Sequence, residues 1–148
     1  MKMMAIGVAL VAGAVIASEY LLNVDKTHTY AIMVETDKDL YTLNDSITVR
    51  IIVTEFEQKA IAFPTSQMAD FCIYENGNKI YQWSDDRAFA QVFTHINLSK
   101  GLILFEGEVP AYTLGTGTFE LRTWMEGFYE DDEYHNAVHA EPITIKIA

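Results

Sequence analysis

From Asp25 onward, no stretch of the chain keeps a helical period. Short apolar runs recur about every ten residues instead, alternating or rich in β-branched side chains, with Gly, Pro, Asn and Asp between them. Runs of this kind bury one face each, and they do so by pairing into sheets. Parallel strands need crossover helices of about a dozen residues or more, and the pattern supplies none. The expectation is an all-β fold, an antiparallel β-sandwich of about eight or nine strands.

The runs can be placed. "HTYAIMVET" (28–36) alternates, and "DLYTLND" (39–45) is a short extension into an Asn-Asp turn. "SITVRIIVTEF" (46–56) is the strongest strand, with Ile47, Val49, Ile51 and Val53 on one face. "KAIAF" (59–63) stops at Pro64, which cannot donate to a ladder. "DFCIYENGNKIYQW" (70–83) reads as a hairpin turned at Asn76-Gly77. "FAQVFTHI" (89–96), "LILFEGEV" (102–109), "GTGTFELRTWM" (115–125) and "PITIKI" (142–147) complete the set. No repeat or Gly/Ser linker interrupts it, so residues 26–148 are expected to form one domain.

The first residues differ. Lys2 precedes an uncharged apolar run from Met3 to Ala17. That is the layout of a signal peptide, with Val15 and Ala17 as small residues before a cut at Ser18. Carried on to Val24, the same run is long enough for a membrane-spanning anchor helix, with Lys2 on the inner side. Both readings, signal peptide or anchor over residues 1–25, stay open, and both place residues 26–148 extracellularly or at the cell surface. An uncleaved anchor would make the membrane a partner through this segment. Two Asn-x-Ser sequons, at Asn44 and Asn97, are candidate glycosylation sites in turn-like sequence.

A formal net charge of -11 repels nucleic acid and anionic lipid, so neither is an expected partner of the domain. The single cysteine, Cys72, has no intrachain mate and lies in the apolar run "DFCIY", where a buried, inert thiol is expected. No Gly-x-Ser-x-Gly elbow or phosphate-binding glycine loop is present. His28, His95, His135 and His139 stand beside no recognised nucleophile pattern. A non-enzyme without cofactor is expected. In "YEDDEYHNAVHA" (129–140), Glu130, Asp131, Asp132 and Glu133 offer oxygens to a hard cation, but the alternate acidic spacing of a calcium loop is missing. His135 and His139 are four apart without an H-E-x-x-H frame. The segment is read as a long solvated loop without metal, of the kind that meets partners.

"YQWSDDRAF" (81–89) sets aromatic rings against polar residues. Tyr81 and Trp83 alternate along a strand, and Ser84, Asp85 and Asp86 carry turn chemistry. Arg87 can pair with a carboxylate or cover an aromatic ring. The stretch reads as a corner with an ionic latch. The alternative is a rim where Tyr81, Trp83 and Arg87 anchor a partner.

The same residues carry a family likeness. "FPTSQMADF" (63–71), "IYENGNKIYQWSDDRAF" (73–89) and "INLSKG" (96–101) keep the order Phe-Pro, Asp-Phe, hairpin, Tyr-x-Trp-Ser, Phe-x-Gln and Leu-x-x-Gly. In this the chain resembles the BsuPI domain, the family of the Bacillus intracellular proteinase inhibitor. The likeness covers about residues 38–125, with Phe119 in the aromatic place of the family's closing Gly-x-Tyr strand. It implies an immunoglobulin-like β-sandwich and inhibition of a serine protease. This chain adds an export or anchor segment and the acidic stretch from Glu126 to Glu141.

Together these readings make the chain an exported or membrane-anchored protein-binding domain. Its partner would be a serine protease or a cell-envelope component, met through Ser84–Arg87 and the 126–139 segment. The alternative is a structural or accessory subunit of a surface filament or envelope layer, self-assembling by strand addition at a sheet edge.

Overall fold

The computed structural model describes residues 29–148. Residues 1–28, where a signal peptide or anchor helix is expected and where His28 stands, lie outside the described residues. Among the described residues no helix is long and apolar enough to cross a membrane.

Thirteen strands are present among the described residues: β1 (Ala31–Thr36), β2 (Leu40–Tyr41), β3 (Ser46–Glu55), β4 (Ala60–Phe63), β5 (Ala69–Glu75), β6 (Asn78–Gln82), β7 (Thr94–Asn97), β8 (Ile103–Pro110), β9 (Gly117–Met125), β10 (Phe128–Glu130), β11 (Glu133–His135), β12 (Val138–His139) and β13 (Ile143–Ile147). They form three sheets, ordered β1-β3-β8, β11-β10-β4-β7 and β2-β13-β9-β5-β6, with β12 on β9. All pairings are antiparallel except β13 with β2.

The expected alternation sets the core. Ile47, Val49, Ile51 and Val53 of β3 all point inward. They share one cluster with Phe71 and Ile73 of β5, Phe119 and Leu121 of β9, Phe63 of β4 and Phe128 of β10. Each such side chain withdrawn from water contributes about 1.5–3 kcal/mol. The predicted hairpin is β5-β6, turned at Asn76 (φ 51°) and Gly77 (φ 83°). Two successive positive φ angles match the strand twist, and Asn-Gly adopts them at little cost.

Three expectations are corrected. The run 89–96 is a strand only from Thr94. Upstream, Ala90 donates its N–H to Ser66 Oγ (2.9 Å) and its carbonyl accepts from Ser66 N (2.9 Å), so this backbone is satisfied by a loop, not a ladder. The hairpin's second strand ends at Gln82, and Trp83–Asp86 is a 3-10 turn. The acidic segment is not one long loop: it folds into β10, β11 and β12, because Phe128 enters the core and draws its neighbours into a ladder, while Asp131, Asp132 and Glu133 stay exposed as expected.

Candidate functional site

The corner around Trp83 is built on Asp70, which is 1% exposed. Its carboxylate accepts the backbone N–H of Phe71 (2.8 Å), the Gln82 side-chain amide (2.9 Å), the Ser84 N–H (3.2 Å) and the Ser84 hydroxyl. Four donors on a buried carboxylate offset its desolvation. Trp83 packs edge-on against Phe105 (4.7 Å) and lies near Phe89 (6.0 Å) and Phe71 (6.5 Å). Tyr81 lies 6.0 Å from Phe71, and burial raises its phenol pKa. Arg87 stands over the Trp83 ring at 4.1 Å and donates Nε to the Trp83 carbonyl (2.9 Å). Tyr81, Trp83 and Ser84 are thus engaged by the fold, while Asp85, Asp86 and Arg87 face solvent.

The acidic segment is a tight hairpin. Phe128 pairs with His135, Tyr129 with Tyr134, and Glu130 with Glu133, turning at Asp131-Asp132 with Asp131 at φ 55°. Its inner face holds Phe128, Glu130 (8% exposed) and His135, whose ring stacks on Phe128 at 5.1 Å and 13°. His135 Nε2 is 3.2 Å from Glu130 Oε1, and Tyr30 donates its hydroxyl to the same oxygen (2.5 Å). Burial first, then the bond to Glu130, push the Tyr30 phenol pKa well upward. The ligand atoms of Glu130, Glu133 and His135 lie within 4.8 Å of one another. A divalent cation accepts such a set, and the close approach of His135 to Glu130 accounts for part of the same convergence. His139 belongs elsewhere, opposite Trp124 on β9, so the two histidines do not meet on one helix face.

The outer face carries a row of four residues in register: Tyr134, Tyr129, Ala62 and His95. On β4 the outward positions are alanines, Ala60 and Ala62. Ala62 between Tyr129 and His95, and Ala60 beside Asn97, leave a trough that Asp131 also lines. Phe93, Asp131 and Asp132 line its continuation. Phe93 meets Tyr129 at 5.8 Å, and Tyr129 meets Tyr134 at 5.1 Å. Phe93 is 60% exposed and Tyr134 52%. The Phe93–Tyr129 contact ties the loop before β7 to the acidic hairpin; no contact joins Ser84–Arg87 to that hairpin among the described residues. Sequence reasoning missed Phe93, Tyr129, Tyr134 and Ala62 as one surface; the only local signal is the paired alanines of "KAIAF".

Gly127 makes the arrangement compact. A Cβ there would sit 1.9 Å from Tyr134 Oη, so only glycine lets this ring lie across the start of the hairpin. Asn44 is exposed in a turn, and Asn97 is exposed at the end of β7. Cys72 is a free, buried thiol whose pKa is raised by burial.

No curated protein matches the chain. The model of the BsuPI family, described as intracellular proteinase inhibitor, matches residues 34–128. The match runs from β1 through the Asp70–Ser84 corner to Phe128 and stops before the Asp131-Asp132 turn. Residues 34–128 being most of the chain, it belongs to the BsuPI family.

Proposed function

We propose that this chain is an exported or membrane-anchored, non-enzymatic protein-binding domain of immunoglobulin-like architecture that inhibits a serine protease. The observation that carries the reading is the family match over residues 34–128, whose description names proteinase inhibition. The geometry is compatible with it. A hairpin clamped by Phe128 in the core presents a short exposed turn, Asp131-Asp132, and a turn held at both ends by a ladder has less ordering entropy to lose on binding. The Ser84–Arg87 corner presents its charged side chains from a similarly fixed frame. The apolar run behind Lys2 supports placement outside the cytoplasm.

The test is a titration of the full chain against subtilisin-like and trypsin-like serine proteases, following residual activity and the integrity of the chain. Stoichiometric loss of activity with the chain uncut is expected. Undiminished activity across the panel would confine the family likeness to the fold. Cell fractionation and N-terminal sequencing of the mature protein test the location. A start at Ser18 identifies a cleaved signal, and an intact Met1 in the membrane fraction identifies an anchor. Recovery from the soluble cytoplasm counts against both.

A further inference from the structure

We infer that the trough over Ala60 and Ala62 is a docking site for an extended polypeptide segment carrying an arginine or lysine. This rests on the protein-binding reading above but not on inhibition.

Three observations converge. The floor is two alanines, so a bound backbone can approach β4 closely. One end is aromatic: Phe93, more than half exposed, and Tyr129 line it, and the exposed Tyr134 stands behind Tyr129. Large exposed rings gathered on one side are favoured anchors at interfaces. The same end is acidic, with the exposed Asp131 and Asp132 lining the depression beside Phe93 and Tyr129.

Charge decides the occupant. A wholly apolar partner would strip water from the two carboxylates without replacing it. An anionic partner meets both them and a chain of net charge -11. A guanidinium or ammonium group pairs with the carboxylates and also meets the ring faces, where it gains cation–π attraction. The aliphatic stem of the same side chain covers the apolar floor.

The probe is a flexible synthetic peptide with two arginines separated by a leucine and flanked by glycine and serine; its glutamate counterpart is the control. Binding to the full chain is followed by calorimetry and by amide chemical shifts. The arginine peptide is expected to bind and the glutamate peptide not to bind. Shifts should concentrate at residues 60–62, 92–95 and 129–134. Asp131→Asn with Asp132→Asn should weaken binding about tenfold or more, with Asn keeping the positive φ at 131. Phe93→Ala, which alters no charge, should weaken it to a similar degree.

Absence of binding, shifts scattered over the surface, or an unchanged affinity in Phe93→Ala would each overturn the site, leaving only diffuse attraction to an acidic chain. The same variants separate the two readings. Protease inhibition that survives them would remove the trough as the contact and leave inhibition standing. Peptide binding at the trough with no protease inhibited would keep the trough and remove inhibition.

Discussion

Asp70 and Ser84 form the bond that fixes the Trp83 corner: one buried carboxylate takes both the backbone N–H (3.2 Å) and the hydroxyl of Ser84. Removing the acceptor leaves the Phe71 N–H, the Ser84 N–H and the Ser84 hydroxyl without this partner in a half-buried corner, while Gln82 keeps Ser84 Oγ (3.3 Å). Asp70→Ala is expected to cost about 2–4 kcal/mol in urea unfolding. Ser84→Ala, which keeps the backbone bond, should cost about 1 kcal/mol. An Asp70→Ala variant within about 0.5 kcal/mol of wild type would show that the corner holds without its latch.

Alkaline stability depends on Tyr41, whose ring is fully buried and whose hydroxyl donates to Asp37 (2.6 Å). Burial first, then that bond, push its phenol pKa up to about 12. An unfolded phenol titrates near about 10, so the folded state favours the neutral form. The contribution is therefore fully present below about pH 10 and is lost as pH rises towards about 12. Stability of wild type should fall across that window more steeply than that of Tyr41→Phe. Tyr30 and Tyr81, also shifted upward, leave part of the fall in the variant. Equal slopes would remove Tyr41 from the account.

Two phenylalanines should respond in opposite ways. Phe71 is fully buried among Tyr81, Trp83 and Phe105, and Phe71→Ala is expected to cost about 3–5 kcal/mol through lost burial and the cavity left. Phe93, mostly exposed, should cost no more than about 0.5 kcal/mol when replaced by Ala. Thermal unfolding of the two variants checks this. A large loss in Phe93→Ala would mean that the ring supports the fold instead of offering a surface.

Gly127→Ala displaces Tyr134, since the new methyl would overlap the phenol oxygen. The tip of an exposed side chain can swing away, so stability should fall by about 1 kcal/mol or less. The ring's contact with Tyr129 should break. Aromatic proton shifts of Tyr129 and Phe93 are the readout. Unchanged shifts with a large stability loss would place the strain in the backbone, at the His135 carbonyl, 3.0 Å from the same Cβ.

Local pattern was enough to place β3, because each of its inward residues is apolar and each step of the alternation is visible along ten consecutive residues. It was enough for the β5-β6 turn, where Asn76-Gly77 supplies the needed backbone angles by itself. It was enough for the family, since the Asp-Phe and Tyr-x-Trp-Ser motifs are contiguous words whose spacing survives without coordinates. The acidic hairpin was not legible. Its strands are three residues or fewer, too short to show a period, and Glu130 reads as solvated until the packing of Phe128 turns it inward. The trough was not legible either. Ala62, Phe93 and Tyr129 lie far apart along the chain, and only the pairing of β4 with both β7 and β10 makes them neighbours. Alternation tells which side of a strand faces the core; which strands stand side by side is decided by long-range packing, and the trough exists only after that decision.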